Sequence, residues 1–168
     1  MLETSRVAMK SSGGEKVEVA IITGAGSGIG LATAKQLYGM GMAIVGVGRD
    51  PAKLAALESE LGDPARIATL AVDIAADEAP QAIVALALER FGRIDFLINN
   101  AGIGSPKPLH ETDDATLDHF LGIMLRAPFR RARDVNVHMQ PGSAIVNVTS
   151  TYAVVGGRRG GAYSAAKG

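Results

Sequence analysis

The chain has no cysteine, which excludes a disulfide framework, a thiolate nucleophile and a zinc-thiolate site and fits a reducing, cytoplasmic setting. It has no net charge either, with seventeen basic and seventeen acidic residues, so no global field draws it to nucleic acid or to a membrane surface. The small basic clusters, Arg130-Arg131 with Arg133 and Arg158-Arg159, read as solvated surface. Met1 to Glu18 contains no apolar stretch and reads as neither a secretion signal nor a membrane span. Met1 to Gly14 is expected to be a disordered extension. His110, His119 and His138 lack metalloprotease spacing, and no metal is expected.

Glycine, by contrast, is plentiful, with 21 in 168 residues, and it punctuates apolar runs instead of forming a low-complexity tract. Short β-branched runs alternate with amphipathic stretches. Strands are expected at Val17 to Thr23, Ala43 to Val47, Ile67 to Val72, Ile94 to Ile98 and Ala144 to Val148. Ile29, Ala32, Leu37 and Met40 recur at helical spacing. Asp50 and Pro51 read as an N-cap and first helical residue, Gly62 and Gly92 as helix stops. Thr112 should cap a long helix reaching about Met139, kinked at Pro128. Strands joined by helix-length crossovers imply a parallel, doubly wound α/β sheet of Rossmann type, in one domain over residues 15–168.

Chemistry is expected first where strand one meets helix one. In Thr23-Gly-Ala-Gly-Ser-Gly-Ile-Gly30, Gly24, Gly28 and Gly30 allow a tight turn and close backbone approach to a pyrophosphate, whose charge suits the helix N-terminus. The run lacks the Gly-Lys-Ser/Thr ending of a P-loop. At the end of strand two, Gly48 leaves empty the place of an acidic residue that would hold the ribose of NAD, and Arg49 could pair with the 2′-phosphate of NADP. NADP(H) is therefore favoured, with NAD(H) as the alternative. Asp50 either faces the ribose or caps its helix. Asp73 either orients the adenine or makes a turn. Asn99-Asn100-Ala101-Gly102, after strand four, leaves room for a cofactor at the sheet's C-terminal edge.

Thr23 to Gly30, Asn99 to Gly102, Ser150 and the closing Tyr163-Ser-Ala-Ala-Lys167, taken in order, resemble the short-chain dehydrogenase/reductase family over about Lys16 to Gly168. The resemblance implies cofactor contacts at Gly24, Ser27, Gly28, Ile29, Gly30, Arg49, Asp73, Asn100, Ala101, Gly102, Tyr163 and Lys167. It also implies hydride transfer between a nicotinamide cofactor and a small carbonyl or alcohol substrate, with Ser150, Tyr163 and Lys167 catalytic. Tyr163 would be the general acid in reduction and the base in oxidation, Ser150 would orient the substrate oxygen, and Lys167 would hold the nicotinamide ribose. The residue types suit these roles: a free phenol, with a pKa of about 10, is a poor base at neutral pH. An ammonium one helical turn away favours the phenolate.

Two departures qualify the resemblance. Ile123-Met-Leu-Arg-Ala-Pro-Phe129 aligns with a segment in which the family usually has Asn at the position of Met124, supporting a water-linked proton path. A thioether cannot donate a hydrogen bond, so slower proton delivery is expected. The resemblance also covers only about the first two thirds of a typical family domain. The later strands and substrate lid would then be missing, strand five would be a sheet edge, and the two-turn helix carrying Tyr163 and Lys167 would be marginal alone. A non-catalytic dinucleotide-binding module is therefore the alternative, and a methyltransferase a distant third. Homo-oligomers through the fourth and fifth helices are implied for a complete domain. The loops Ile103 to Pro108 and Tyr152 to Gly161 are expected to give a small, mostly apolar substrate rim.

Overall fold

A computed structural model describes residues 17–104 and 107–168; the expected extension over residues 1–14 lies outside them. The elements alternate as β1 (Val19–Thr23), α1 (Gly28–Gly39), β2 (Ala43–Gly48), α2 (Pro51–Leu61), β3 (Ile67–Ala71), α3 (Ala79–Phe91), β4 (Phe96–Asn99), α4 (Asp114–Leu121), α5 (Ala127–Asn136), β5 (Ala144–Asn147) and α6 (Gly161–Lys167). The five strands form one parallel sheet in the order β3-β2-β1-β4-β5. This is the doubly wound α/β fold expected from the alternation of strands and helices.

Helices cover both faces because β1 is apolar at every position but its last. Val19 and Ile21 join one core layer with Ile83, Phe120 and Ala166. Ala20 and Ile22, pointing the opposite way, join the other with Ala34 and Leu57. Strand residues alternate between faces, so a strand buried on both sides must be apolar throughout. Complete burial of one such isoleucine stabilises the fold by about 2–3 kcal/mol.

The punctuation of α2 follows its residue chemistry. The Asp50 carboxylate accepts from the amides of Ala52 and Lys53 at 3.0 and 3.3 Å, Pro51 fills the first turn, and Gly62 stops the helix at φ 76°. Gly92 ends α3 in the same left-handed conformation, φ 72°.

Three of the boundaries that differ from the sequence expectation have a specific physical cause. Strand four begins at Phe96 and includes Asn99, because Asp95 leaves the apolar pattern: its carboxylate accepts from the Val19 amide at 2.8 Å and pairs with Arg93. Asp113, not Thr112, caps α4 by accepting from the Thr116 amide at 2.8 Å, while the Thr112 hydroxyl donates to the Pro108 carbonyl. The expected long helix is three pieces, with a π-helical turn at Gly122–Arg126 between α4 and α5. Pro128 sits in the first turn of α5; it has no N–H and its ring would crowd the carbonyl four residues earlier, so the backbone widens ahead of it.

The largest correction concerns Arg131. It is not surface: its side chain is 1% exposed and its Nε donates to Asn99 Oδ1 at 2.9 Å. Both terminal nitrogens are buried without a hydrogen-bond partner, and burial pushes the guanidinium down to about 10. Arg130 and Arg133 pair with Asp77 and Asp134, both at 2.7 Å. Among the described residues no helix is long and apolar enough to cross a membrane.

Candidate active site

The strand order reverses between β1 and β4, where successive crossovers leave on opposite faces and open a crevice at the strands' C-terminal ends. Thr23, fully buried at the end of β1, closes its floor. Its hydroxyl donates to the Ile98 carbonyl at 3.3 Å and accepts from the amides of Asn100 and Ala101 at 3.0 and 3.1 Å. The Asn100 side chain returns a bond to the Thr23 carbonyl at 2.9 Å. The glycine loop and Asn99-Asn100-Ala101-Gly102 are thereby one structural unit. Thr23 was visible in the sequence only as the residue opening the glycine run; its role as the tie needed the β1–β4 pairing.

A cleft of about 450 Å³ runs along this edge, lined by Gly24, Ser27, Arg49, Asp73, Asn100 and Gly102 among others. Whether a dinucleotide fits is tested by the glycines. A Cβ at Gly30 would overlap the Gly24 carbonyl oxygen and approach Asn100 Nδ2 to 2.6 Å, so the loop closes on itself only because that position is bare. Gly28 has φ 53° and open space around it. The Ser27 side chain does not cap α1, and no acidic residue occupies its first turn. This leaves its early amides and the positive end of the helix dipole suited to a phosphate group. The residues fit the cofactor.

The acidic residues of this cleft have structural duties. Asp50 caps α2, as described above, and Asp73 Oδ1 accepts from the Ala75 amide at 3.0 Å in a local turn, although both still line the cleft. Gly48 presents no side chain beside Arg49; the nearest neighbour to a Cβ there would be Leu54, at 3.6 Å.

A second cleft of about 570 Å³ adjoins the first through Asn100, Gly102 and Ile103 and contains Ile29, Ser150, Tyr163 and Lys167. The two clefts together thus bring all the sequence-predicted site residues except Gly28 and Gly30 to their walls; those two lie in the first turn of α1. The Tyr163 ring is set edge-on against Phe120 and Tyr152, with centroids 6.5 and 6.1 Å away. Ser150 Oγ accepts from the Tyr152 amide at 3.2 Å and begins a short 3-10 turn, which leaves its O–H free to donate. Lys167 Nζ donates to the Val148 carbonyl at 2.7 Å, an anchor on β5's continuation that the Tyr–Lys spacing did not foretell. Ala162 and Ala166, next to Tyr163 and Lys167 on α6, are buried in the core, and this contact supports a helix too short to persist alone.

Met124 lies buried on the π turn, and a Cβ at Gly102 would stand 3.5 Å from its sulfur and 3.7 Å from Lys167 Nζ. It shares a third cavity, of about 300 Å³, with Lys167, Arg131 and Asn147. No group of three or more potential metal ligands occurs among the described residues. The lining of the Tyr163 cleft is mostly apolar, as expected, but the exposed Arg158 and Arg159 also line it.

Comparison with known proteins agrees with this fold. The family model described as short chain dehydrogenase matches residues 18–168. The short-chain reductase protein NovJ of Streptomyces niveus is 39% identical over 160 residues, a match covering 89% of this chain and 58% of that protein. Among solved structures, a short-chain dehydrogenase/reductase (glucose/ribitol dehydrogenase) from Brucella melitensis superposes with a TM-score of 0.87 at 35% identity, over 90% of this chain and 63% of that one. A 3-ketoacyl-(acyl-carrier-protein) reductase from the same organism, complexed with NADH, gives 0.84 at 34% identity, over 89% and 64%. The chain thus spans less than two thirds of the length of these relatives.

Proposed function

The chain belongs to the short-chain dehydrogenase family of oxidoreductases, and from that premise we propose that it serves reversible reduction of a carbonyl compound with a nicotinamide cofactor. The observation that carries this reading is convergence: Ser150, Tyr163 and Lys167 share a cleft that opens onto the one beneath the glycine loop. Gly24, Ser27, Ile29 and the amides at the start of α1 would receive the pyrophosphate, with Asn100, Ala101 and Gly102 leaving room for the rest. When bound, the nicotinamide supplies hydride to the carbonyl carbon.

The chain's own residues would supply the rest. Tyr163 Oη donates its proton to the carbonyl oxygen in reduction and recovers one from the alcohol in the reverse direction. The Ser150 hydroxyl donates to the same oxygen and fixes its position. Lys167, held by the Val148 carbonyl, would reach the nicotinamide ribose. Arg49, beside the bare Gly48, favours NADPH over NADH, although a similar solved protein holds NADH.

A second reading, nucleotide binding without turnover, is favoured by Met124, whose thioether stands where the family's proton path would pass. Titration with NADPH and NADH, followed by absorbance assays on a panel of aldehydes and ketones, separates the two. Binding with turnover supports the enzyme; binding without turnover selects the second reading; no binding of either nucleotide rejects both.

A further inference from the structure

The Tyr163 cleft carries more positive charge than carbonyl reduction requires. Arg158 and Arg159 line it together with Lys167, and no aspartate or glutamate does. Among the described residues neither guanidinium has a carboxylate partner. Asp113, linked to this loop through Lys107, is already engaged. Its carboxylate accepts from the Thr116 amide and lies 3.6 Å from Lys107 Nζ, and these groups, Thr116 foremost, hold its carboxyl below the usual range.

The loop that presents the two arginines has a fixed path. A Cβ at Gly157 would overlap the Tyr152 ring, so the backbone passes flat against it. The Gly160 amide donates to the Gly157 carbonyl at 3.0 Å, and the Lys107 amide to the Arg159 carbonyl at 2.8 Å. Arg159 has φ 59°, the only non-glycine residue with positive φ among those described. Glycine adopts that conformation without the steric penalty an L side chain meets. A strained backbone beneath an unpaired guanidinium, on the wall of a cleft, links the strain to a use for the side chain.

We propose that the substrate of this cleft is a carbonyl or alcohol compound carrying an anionic group, a carboxylate or phosphate, which Arg158 and Arg159 hold while the reacting oxygen lies at Tyr163 and Ser150. This rests on reading the cleft as the substrate site. Guanidinium groups pair with carboxylate and phosphate through parallel N–H donors, and a cleft of about 570 Å³ suits a small molecule. The anionic group is unchanged in the reaction; it selects the substrate and sets its distance from Tyr163.

Equilibrium binding tests this without turnover. The probes are 4-formylbenzoate, 4-formylphenyl phosphate and methyl 4-formylbenzoate, titrated at low and high salt into the wild-type chain, Arg158→Ala/Arg159→Gly and Arg158→Lys/Arg159→Lys. Both arginines are exposed, and glycine relieves the positive φ at 159, so the first variant should fold; its thermal unfolding curve checks that. The wild type should bind at least one anionic probe about tenfold more tightly than the neutral ester. That preference should shrink with salt, vanish in the Ala/Gly variant and survive in part in the Lys variant. The tighter of the two anions distinguishes carboxylate from phosphate. Equal affinity for acid and ester, or a preference surviving the Ala/Gly change, overturns the proposal. So does loss of NADPH or NADH affinity in that variant, which would assign the arginines to the cofactor. Failure of the wild type to bind either nucleotide would instead strike the proposed function, and the probe comparison would remain readable.

Discussion

Strands β1 and β5 look alike in sequence, each a short β-branched apolar run ending in a polar residue, yet their surroundings differ. β1 pairs on both sides, with β2 and β4, and all five of its residues are buried. β5 pairs with β4 alone, and Ala144, Val146 and Asn147 are exposed. Polar groups follow the same divide. Beside β1, the Thr23 hydroxyl satisfies two amides and a carbonyl. On the β5 side, Asn99 bridges Asn147 and Arg131, and Arg131 keeps two buried nitrogens unpaired. A strand's own residues make it extended; its neighbours decide what burial contributes. The well-packed side holds the proposed nucleotide loop, and the open side carries the proposed proton chemistry.

Five substitutions test this contrast. The largest effect is expected from Tyr163→Phe, which should lower kcat/KM by about 10²–10⁴-fold, the usual contribution of a positioned general acid. NADPH affinity, measured by fluorescence titration, should hold, since the glycine loop is untouched. A parallel loss of nucleotide affinity would show that the two sides act as one unit and dissolve the contrast.

Next comes a matched truncation read by denaturant unfolding. Ile22→Ala should cost about 2–5 kcal/mol, because it empties a fully buried site. Val146→Ala, half exposed on β5, should stay within about 0.5 kcal/mol. Similar costs would mean that β5 is covered in solution.

Arg131→Met should stabilise the chain by about 1 kcal/mol. It sacrifices the bond to Asn99 but removes a buried charge with unpaired donors, an exchange that often favours the apolar residue. Burial lowers this guanidinium's proton affinity in the folded chain relative to the unfolded one. Its penalty is therefore fully present below about pH 10 and eases only as pH rises from about 10 towards the usual guanidinium range. The gain should be the same at pH 6 and pH 8; destabilisation at both would mean the free nitrogens have partners in solution.

A modest effect is expected at Asp50. Removing the α2 cap in Asp50→Ala should cost about 1 kcal/mol in thermal or chemical unfolding. If NADPH affinity fell much further than stability, Asp50 would belong to the nucleotide site as well as to the helix end.

The fold was legible where local chemistry and global packing demand the same residues. Asp50-Pro51 and Gly62 mark the ends of α2 because a carboxylate cap, a fixed φ and a left-handed glycine are needed there whatever surrounds them. β1, apolar at every position but its last, reads as a strand covered on both faces. Less was legible along residues 112–139, where helical periodicity persists through a π turn because side-chain spacing barely changes while the hydrogen-bond ladder does. Arg131 was misread for a related reason: an arginine among arginines carries no local sign that its face of the helix meets Asn99.

The sequence by itself determined the order of strands and helices, the glycine turn and the residue types proposed for proton and nucleotide chemistry, since these depend on dihedral freedom, periodicity and functional groups within a few residues. Only the tertiary structure decided that Thr23 ties the glycine loop to Asn100, that Lys167 leans on the Val148 carbonyl, and that Arg158 and Arg159 face the cleft while Arg131 is buried. Those outcomes join residues far apart in the chain. Parallel pairing and helix packing bring them together, and no local pattern encodes which side of the sheet a given cation will meet.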